Sequence, residues 1–167
     1  MIKMDIDITG LQALLERLQQ TGVNASPLMR RLADIMQDAV EENFAQQGRP
    51  RWLGLAPSTL VRRRGGMILQ DTGRLASSIT GYSDAHTATV GTNLAYAAIH
   101  QFGGKTRPHV IRPRNGKALR FNGRFAKQVN HPGSVIPARP FLRLTSGDEA
   151  ELLDTVEAYL RHLTATP

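Results

Sequence analysis

His100 sits in the stretch Tyr96–Gly104, YAAIHQFGG, where an imidazole precedes a carboxamide and two glycines. An unperturbed imidazole titrates near neutrality, so His100 could serve as a general base. Asp71, followed by Thr72 and Gly73, places a carboxylate beside a hydroxyl. His100 with Asp71 would be the working pair of a hydrolase. The Asp-Thr-Gly triplet also occurs in aspartic proteases, but there two carboxylates must meet, and Asp84 is the one other acid between residues 43 and 147. Plainer roles suit both residues better. Asp71 reads as a helix cap that accepts orphan N–H groups, and His100 as an imidazole hydrogen-bonded to a neighbouring backbone.

Other chemistries lack their residues. His86, His100, His109, His131 and His162 form no i,i+4 pair and cysteine is absent, so no metal site is expected. Arg62–Gly66 (RRRGG) and the Gly103-Gly104 pair lack the Gly-Lys-Ser/Thr ending of a phosphate-cradling loop. No nucleophile motif appears. The chain is read as non-enzymatic, with no catalytic residue and no cofactor.

Charge is the stronger signal. The net charge is +7, but residues 1–42 hold four basic and seven acidic side chains, residues 43–147 sixteen and two, and residues 148–167 one and five. Between Asp84 and Asp148 there is no acid at all. That segment carries Lys105, Arg107, Arg112, Arg114, Lys117, Arg120, Arg124, Lys127, Arg139 and Arg143. Such a block needs a polyanion, an acidic protein face or plain water opposite it. If the counterpart is DNA, the contact is electrostatic and indifferent to sequence. Aromatic content is 5%, and within the basic arm Phe121 and Phe125 alone are available for stacking, which argues against a single-strand reader. One reading is therefore a basic, sequence-independent DNA-binding accessory protein.

The elements that must carry these residues follow from periodicity. Length, 167 residues, suits a single domain spanning residues 1–167. No apolar run approaches a membrane span and mean hydropathy is -0.28. The absence of cysteine and of a signal-peptide pattern fits synthesis in a reducing cytoplasm. Ile2, Met4, Ile6 and Ile8 alternate with polar residues as in a half-buried strand. A short helix opens at Thr9, with Leu11, Leu14, Leu15 and Leu18 on one face, and closes at Gly22. Ser26-Pro27 starts a helix of about 20 residues, with the serine hydroxyl as cap. A short helix runs from Pro57 to about Arg64, and Trp52 before it reads as a core anchor. Asp71 caps a turn leading into a strand at Ser78–Ser83, paired with His86–Thr92 across a tight turn. Asn93 caps a helix, Leu94–Phe102, which Gly103-Gly104 ends. Strands His109–Arg112 and Ala118–Phe121 flank Asn115-Gly116, a hairpin signal, and another strand falls within Val129–Val135. Ser146 caps a final helix, Gly147–Leu163. The expected fold is α+β: a small, mostly antiparallel sheet packed with helices, and a long basic hairpin arm over residues 103–136.

Four phrases in a fixed order carry a resemblance. FAQQGRPRWLGLAPSTLVRRR (Phe44–Arg64), ILQDTGRLASSI (Ile68–Ile79), VGTNLAYAAIHQFGG (Val90–Gly104) and IPARPFLRLT (Ile136–Thr145) resemble the phage virion-morphogenesis, or tail-completion, family of Mu-like contractile-tailed phages. The resemblance covers most of the chain. It implies a structural protein of the virion tail or neck, made in the host cytoplasm, that completes or caps the tail and joins it to the DNA-filled head. It implies a fold similar to tail-terminator and connector proteins, assembled as a homo-oligomeric ring, commonly a hexamer. The implied partners are other copies of the chain, the tail tube and the head-tail connector, with nonspecific contact to packaged DNA and no membrane. In such a ring His100, Gln101 and Phe102 would brace the turn at Gly103-Gly104, from which the arm departs. Trp52, Arg139 and Phe141 would act as anchors, with Pro137 and Pro140 stiffening the last of these. Whether these anchors act within a subunit or between subunits stays open at this stage. So does the counterpart of the arm, which is the next subunit's acidic helices or the DNA.

Overall fold

Apolar residues recurring every three or four positions fold Ser26–Ala45 into a 20-residue helix, α2. Leu28, Leu32, Met36, Val40 and Phe44 are buried, while Asp34, Asp38, Glu41 and Glu42 face outward. The computed structural model describes residues 1–4, 10–20, 22–63, 65–121 and 123–165. Ser26 is not the cap of α2: Ala25 occupies the cap position, and the Asn24 Oδ1 accepts the Ser26 N–H at 3.0 Å. A carboxamide two residues upstream reaches that orphan donor, and Pro27 in the first turn has none to satisfy.

The sheet against α2 has three antiparallel strands in the order β1-β3-β2: β1 (Ile2–Lys3), β2 (Thr80–Ser83) and β3 (Ala88–Thr92). β2 and β3 form the expected hairpin, with Thr80 opposite Gly91 and Ser83 opposite Ala88. Asp84 closes it by accepting the N–H groups of His86 and Thr87, each at 2.8 Å. β1 adds to the other edge of β3 through Ile2 opposite Thr92. The expected continuation of this strand to Ile8, and the helix opening at Thr9, lie outside the described residues. Helix α1 (Leu11–Gln20) packs on the last helix, α5 (Ser146–Ala165), and α5 packs on α2.

Helix α3 covers Pro57–Arg62, with Arg63 already extended; its expected end at about Arg64 lies outside the described residues. Two other local expectations shift. Helix α4 covers Ala97–Phe102, so Asn93 does not cap it; the Thr92 hydroxyl takes the Leu94 N–H instead. At α5 the cap is Thr145, one residue before Ser146. Its hydroxyl accepts the Asp148 N–H at 3.3 Å while Asp148 Oδ2 accepts the Thr145 N–H at 2.7 Å, a reciprocal capping box.

The basic segment is a two-stranded arm built of three short ladders. β4 (Gly104–Lys105) pairs β9 (Val135–Ile136), β5 (His109–Ile111) pairs β8 (Val129–His131), and β6 (Leu119–Phe121) pairs β7 (Arg124–Ala126). The expected hairpin at Asn115-Gly116 is therefore corrected, because β5 and β6 do not pair with each other. The chain reverses between Phe121 and Arg124, with Gly123 at φ +75°. Seven residues, 112–118, separate the outgoing strands where only two, 127–128, separate the returning ones. Asn115-Gly116 sits in that surplus, in a bend of the outgoing chain between the two ladders. At the base Gly103 has φ +71°, and a Cβ there would lie 2.7 Å from the Ala138 nitrogen. Only glycine lets the end of α4 turn this close to the returning strand. Among the described residues the hydrophobic core contains nothing between Ala97 and Phe141.

Candidate functional site

The base of the arm is clamped to the body by two carboxamides. Gln101, on α4, accepts the N–H groups of Phe141 and Leu142 on Oε1 and donates to the Leu142 carbonyl, all at 3.0 Å. Asn43, fully buried on α2, donates to the carbonyls of Phe141 and Arg143 at 2.8 Å. An extended segment without a strand partner thereby has its backbone groups satisfied by side chains. The same segment seats Phe141 against Phe44, ring centroids 5.4 Å apart, and Trp52 meets Phe44 edge-on at 5.8 Å. The Trp52 indole N–H donates to the Pro140 carbonyl at 3.2 Å. Trp52 and Phe141 are anchors within the protomer. Gln101 was expected to brace the turn at Gly103-Gly104, and its carboxamide meets the Phe141 and Leu142 backbone; Asn43 did not stand out, although an asparagine on the apolar stripe of α2 was the available signal.

Arg139 belongs to the same anchor. It is 5% exposed, and its guanidinium donates to the carbonyls of Leu53 and Gly54 at 3.1 and 3.0 Å. Burial, and then the positive charge of Arg63, lower its pKa from the ordinary arginine value. Its backbone N–H donates to the His100 carbonyl at 2.7 Å, tying the end of α4 to the returning chain.

Arg49 and Asp148 lock the other side of this segment. Arg49 makes a two-pronged contact with the Asp148 carboxylate, both prongs at 3.0 Å, and also donates to Asn43 Oδ1 and the Ala39 carbonyl. Burial alone would raise the Asp148 pKa; the Thr145 N–H, the Arg49 guanidinium and the Thr145 hydroxyl outweigh it and hold it below the usual carboxylate range. A carboxyl with its folded pKa depressed contributes stability above its unfolded pKa, about 4, and loses it as pH falls through the folded value. Asp148→Asn is accordingly expected to destabilise the fold at neutral pH. Its deficit relative to the native chain should shrink below about pH 4, as urea melts across that range would measure.

His100 and Asp71, the pair considered for hydrolysis, line one groove of about 910 Å³ together with Leu53, Arg63, Tyr96, Val135 and Arg139. Their contacts correct both simpler expectations. The Asp71 carboxylate caps no helix turn; it accepts from Arg63 Nε at 3.4 Å, and the Thr72 hydroxyl takes the Arg74 N–H. The His100 imidazole is not held by a neighbouring backbone through Nδ1, which is buried and has no hydrogen-bond partner among the described residues. Burial, and secondarily the charge of Arg139, push the His100 pKa down, which favours a neutral ring at pH 7. A catalytic histidine is ordinarily oriented by a partner on its second nitrogen, and Nδ1 lacks one. Phe102 points outward from the end of α4 and is 73% exposed.

The arm side chains stand apart from all of this. Lys105, Arg107, Arg112, Arg114, Lys117, Arg120, Arg124 and Lys127 are all exposed. None of them enters an ion pair among the described residues, whose salt bridges are Arg49–Asp148, Arg63–Asp71 and Arg161–Glu157. Along the proximal ladder His109 stacks on His131 with centroids 5.1 Å apart, and at the tip the Arg120 guanidinium lies 5.8 Å from the centre of the Phe125 ring. No group of three or more His, Asp or Glu side chains is placed to hold a metal among the described residues, and no described helix is long and apolar enough to cross a membrane.

An α+β body with a projecting basic arm and the four ordered sequence phrases point to one class of protein, and residues 6–161 match the model of the phage virion morphogenesis family. The chain belongs to that family. It is 40% identical over 163 residues to Mu-like prophage FluMu G protein 2 of Haemophilus influenzae, covering 96% of this chain and 98% of that one. It is 28% identical over 160 residues to protein G of Escherichia phage Mu, whose name assigns it to capsid assembly, covering 90% and 88%. No solved structure matches the chain.

Proposed function

We propose that this chain is a non-catalytic assembly protein of a phage or prophage that completes the tail and forms part of the neck joining tail to head, as a homo-oligomeric ring. The observation that carries the reading is the arm. It leaves the body at Gly103-Gly104, contributes nothing to the core among the described residues, and exposes all eight of its cations. A segment so built has its counterpart outside its own protomer. An arm that docks on the next body without reciprocal exchange makes a head-to-tail contact, and head-to-tail contacts that close generate rings. Exposed acids on α2 (Asp34, Asp38, Glu41, Glu42) and α5 (Glu151, Asp154, Glu157) give a neighbouring body a face of opposite sign. Family membership and the capsid-assembly name of the phage Mu relative support a role in particle construction.

Electron microscopy of particles made without this chain tests the reading. Full heads and separate tails are expected. Joined, infectious particles assembled in its absence would overturn it.

A further inference from the structure

The distal half of the arm has a composition unlike that of a protein interface. Residues 112–127 hold Arg112, Arg114, Lys117, Arg120, Arg124 and Lys127, all exposed and without ion pairs among the described residues. The one large apolar residue found exposed there is Phe125, and its ring is approached by the Arg120 guanidinium. Interfaces between proteins are depleted of charge at their centres and need an apolar core. A phosphate backbone needs neither: it is held by lysines and arginines on a support that reaches it. Arg120 and Arg124 stand on the short β6–β7 ribbon, a shape that the major groove of duplex DNA admits, and the other four cations on the segments that connect it to the rest of the arm.

We propose that the distal arm binds the phosphate backbone of duplex DNA without reading its sequence. Single-stranded nucleic acid is the poorer fit, because Phe125 is the one exposed aromatic ring among the described side chains of this half and is already engaged by Arg120. The proximal part of the arm, where Val110, Ile111 and Val135 are exposed, is left free for protein. The proposal does not rest on ring formation, since the arm of a single protomer carries every residue it uses.

The test is the salt dependence of binding, measured by fluorescence anisotropy of the full chain with short labelled duplexes of unrelated sequence. With six phosphate contacts the slope of log K against log salt is expected near -5, so that affinity falls by roughly a thousandfold between about 50 and 200 mM salt. Unrelated duplexes should bind equally well, and the matching single strand more weakly. Replacing the six distal cations by glutamine should flatten the slope, and Arg114→Gln alone should reduce it by about one. All six side chains are exposed, so melting temperature should hardly move; if the sixfold variant fails to fold, the slope of the native chain still decides the matter. No binding at low salt, a marked preference for one sequence or for single strands, or undiminished binding by the folded sixfold variant would overturn the proposal. So would self-association dependent on these arginines in a chain that ignores DNA, which would identify an acidic protein face as the counterpart.

Discussion

Excising residues 106–134 and joining Lys105 to Val135 through an Asn-Gly turn is expected to leave the body folded and to abolish joined particles. Lys105 and Val135 are directly opposed in the β4–β9 ladder, so a two-residue turn closes the gap with the strand twist it prefers. The excision removes no described core residue. What it costs locally is the pairing at the foot of the arm, where the Thr106 N–H donates to the Ser134 carbonyl and the Thr106 hydroxyl accepts the Ser134 N–H. Gly133 lies in this stretch at φ +86°, with no room for a side chain against the Thr106 carbonyl. Losing a few exposed hydrogen bonds costs about 1 kcal/mol each, and shortening a flexible excursion returns part of that by restricting the unfolded chain. The melting temperature should therefore change by only a few degrees, whereas complementation of particles lacking the chain should fall to background. A body that unfolds on excision would show the arm to be part of the core, and full complementation would show it to be dispensable.

The largest expected effect on stability falls at Asn43. Asn43→Ala removes two donors and one acceptor from a fully buried position. It strands the Phe141 and Arg143 carbonyls and frees Arg49 Nε from its 2.8 Å contact. An orphaned buried acceptor costs about 1–3 kcal/mol and a group facing a charge costs more, so a loss of about 3–5 kcal/mol is expected. For a chain of this length that lowers the melting temperature by roughly 10 °C. Asn43→Asp should be no remedy, since it restores the acceptor for Arg49 but turns a carboxylate toward two carbonyls. Gln101→Ala should cost less, because Gln101 is only partly buried and water can replace some of its contacts. Calorimetry of the three variants orders them, and near-native melting of Asn43→Ala would remove the carboxamide clamp from the account.

Residue patterns read locally succeeded where one periodicity decided the matter. The stripe Leu28, Leu32, Met36 and Val40 dictated α2, and alternation around the Asp84 turn dictated β2 and β3. Trp52 was legible because a lone large aromatic is worth most when buried. Turn and cap chemistry was less so. The sequence contains Asn-Gly at 115–116 and again at 122–123, and local preference cannot choose between them; the choice follows from β5 pairing with β8, a contact between distant segments. Thr145 and Ser146 are equally good caps by type, and the position of Asp148 selects the first. Asn43 looks like an ordinary polar residue of a surface helix until the Phe141–Arg143 backbone is laid across it, and Gln101, legible as a brace of the glycine turn, gave no sign of its partners there. The isolated Nδ1 of His100 was likewise invisible, because it depends on what surrounds α4 rather than on the residues beside it.

The most direct measurement is a residue-level electron cryomicroscopy reconstruction of the head-tail neck in particles carrying this chain. It should show a closed ring of identical protomers between tail and head, each body retaining its Asn43 and Gln101 clamps and each basic ribbon extending away from its own helices onto a neighbour or the DNA. A chain found alone, or found elsewhere in the particle with the ribbon folded back over its own α2 and α5, would contradict it.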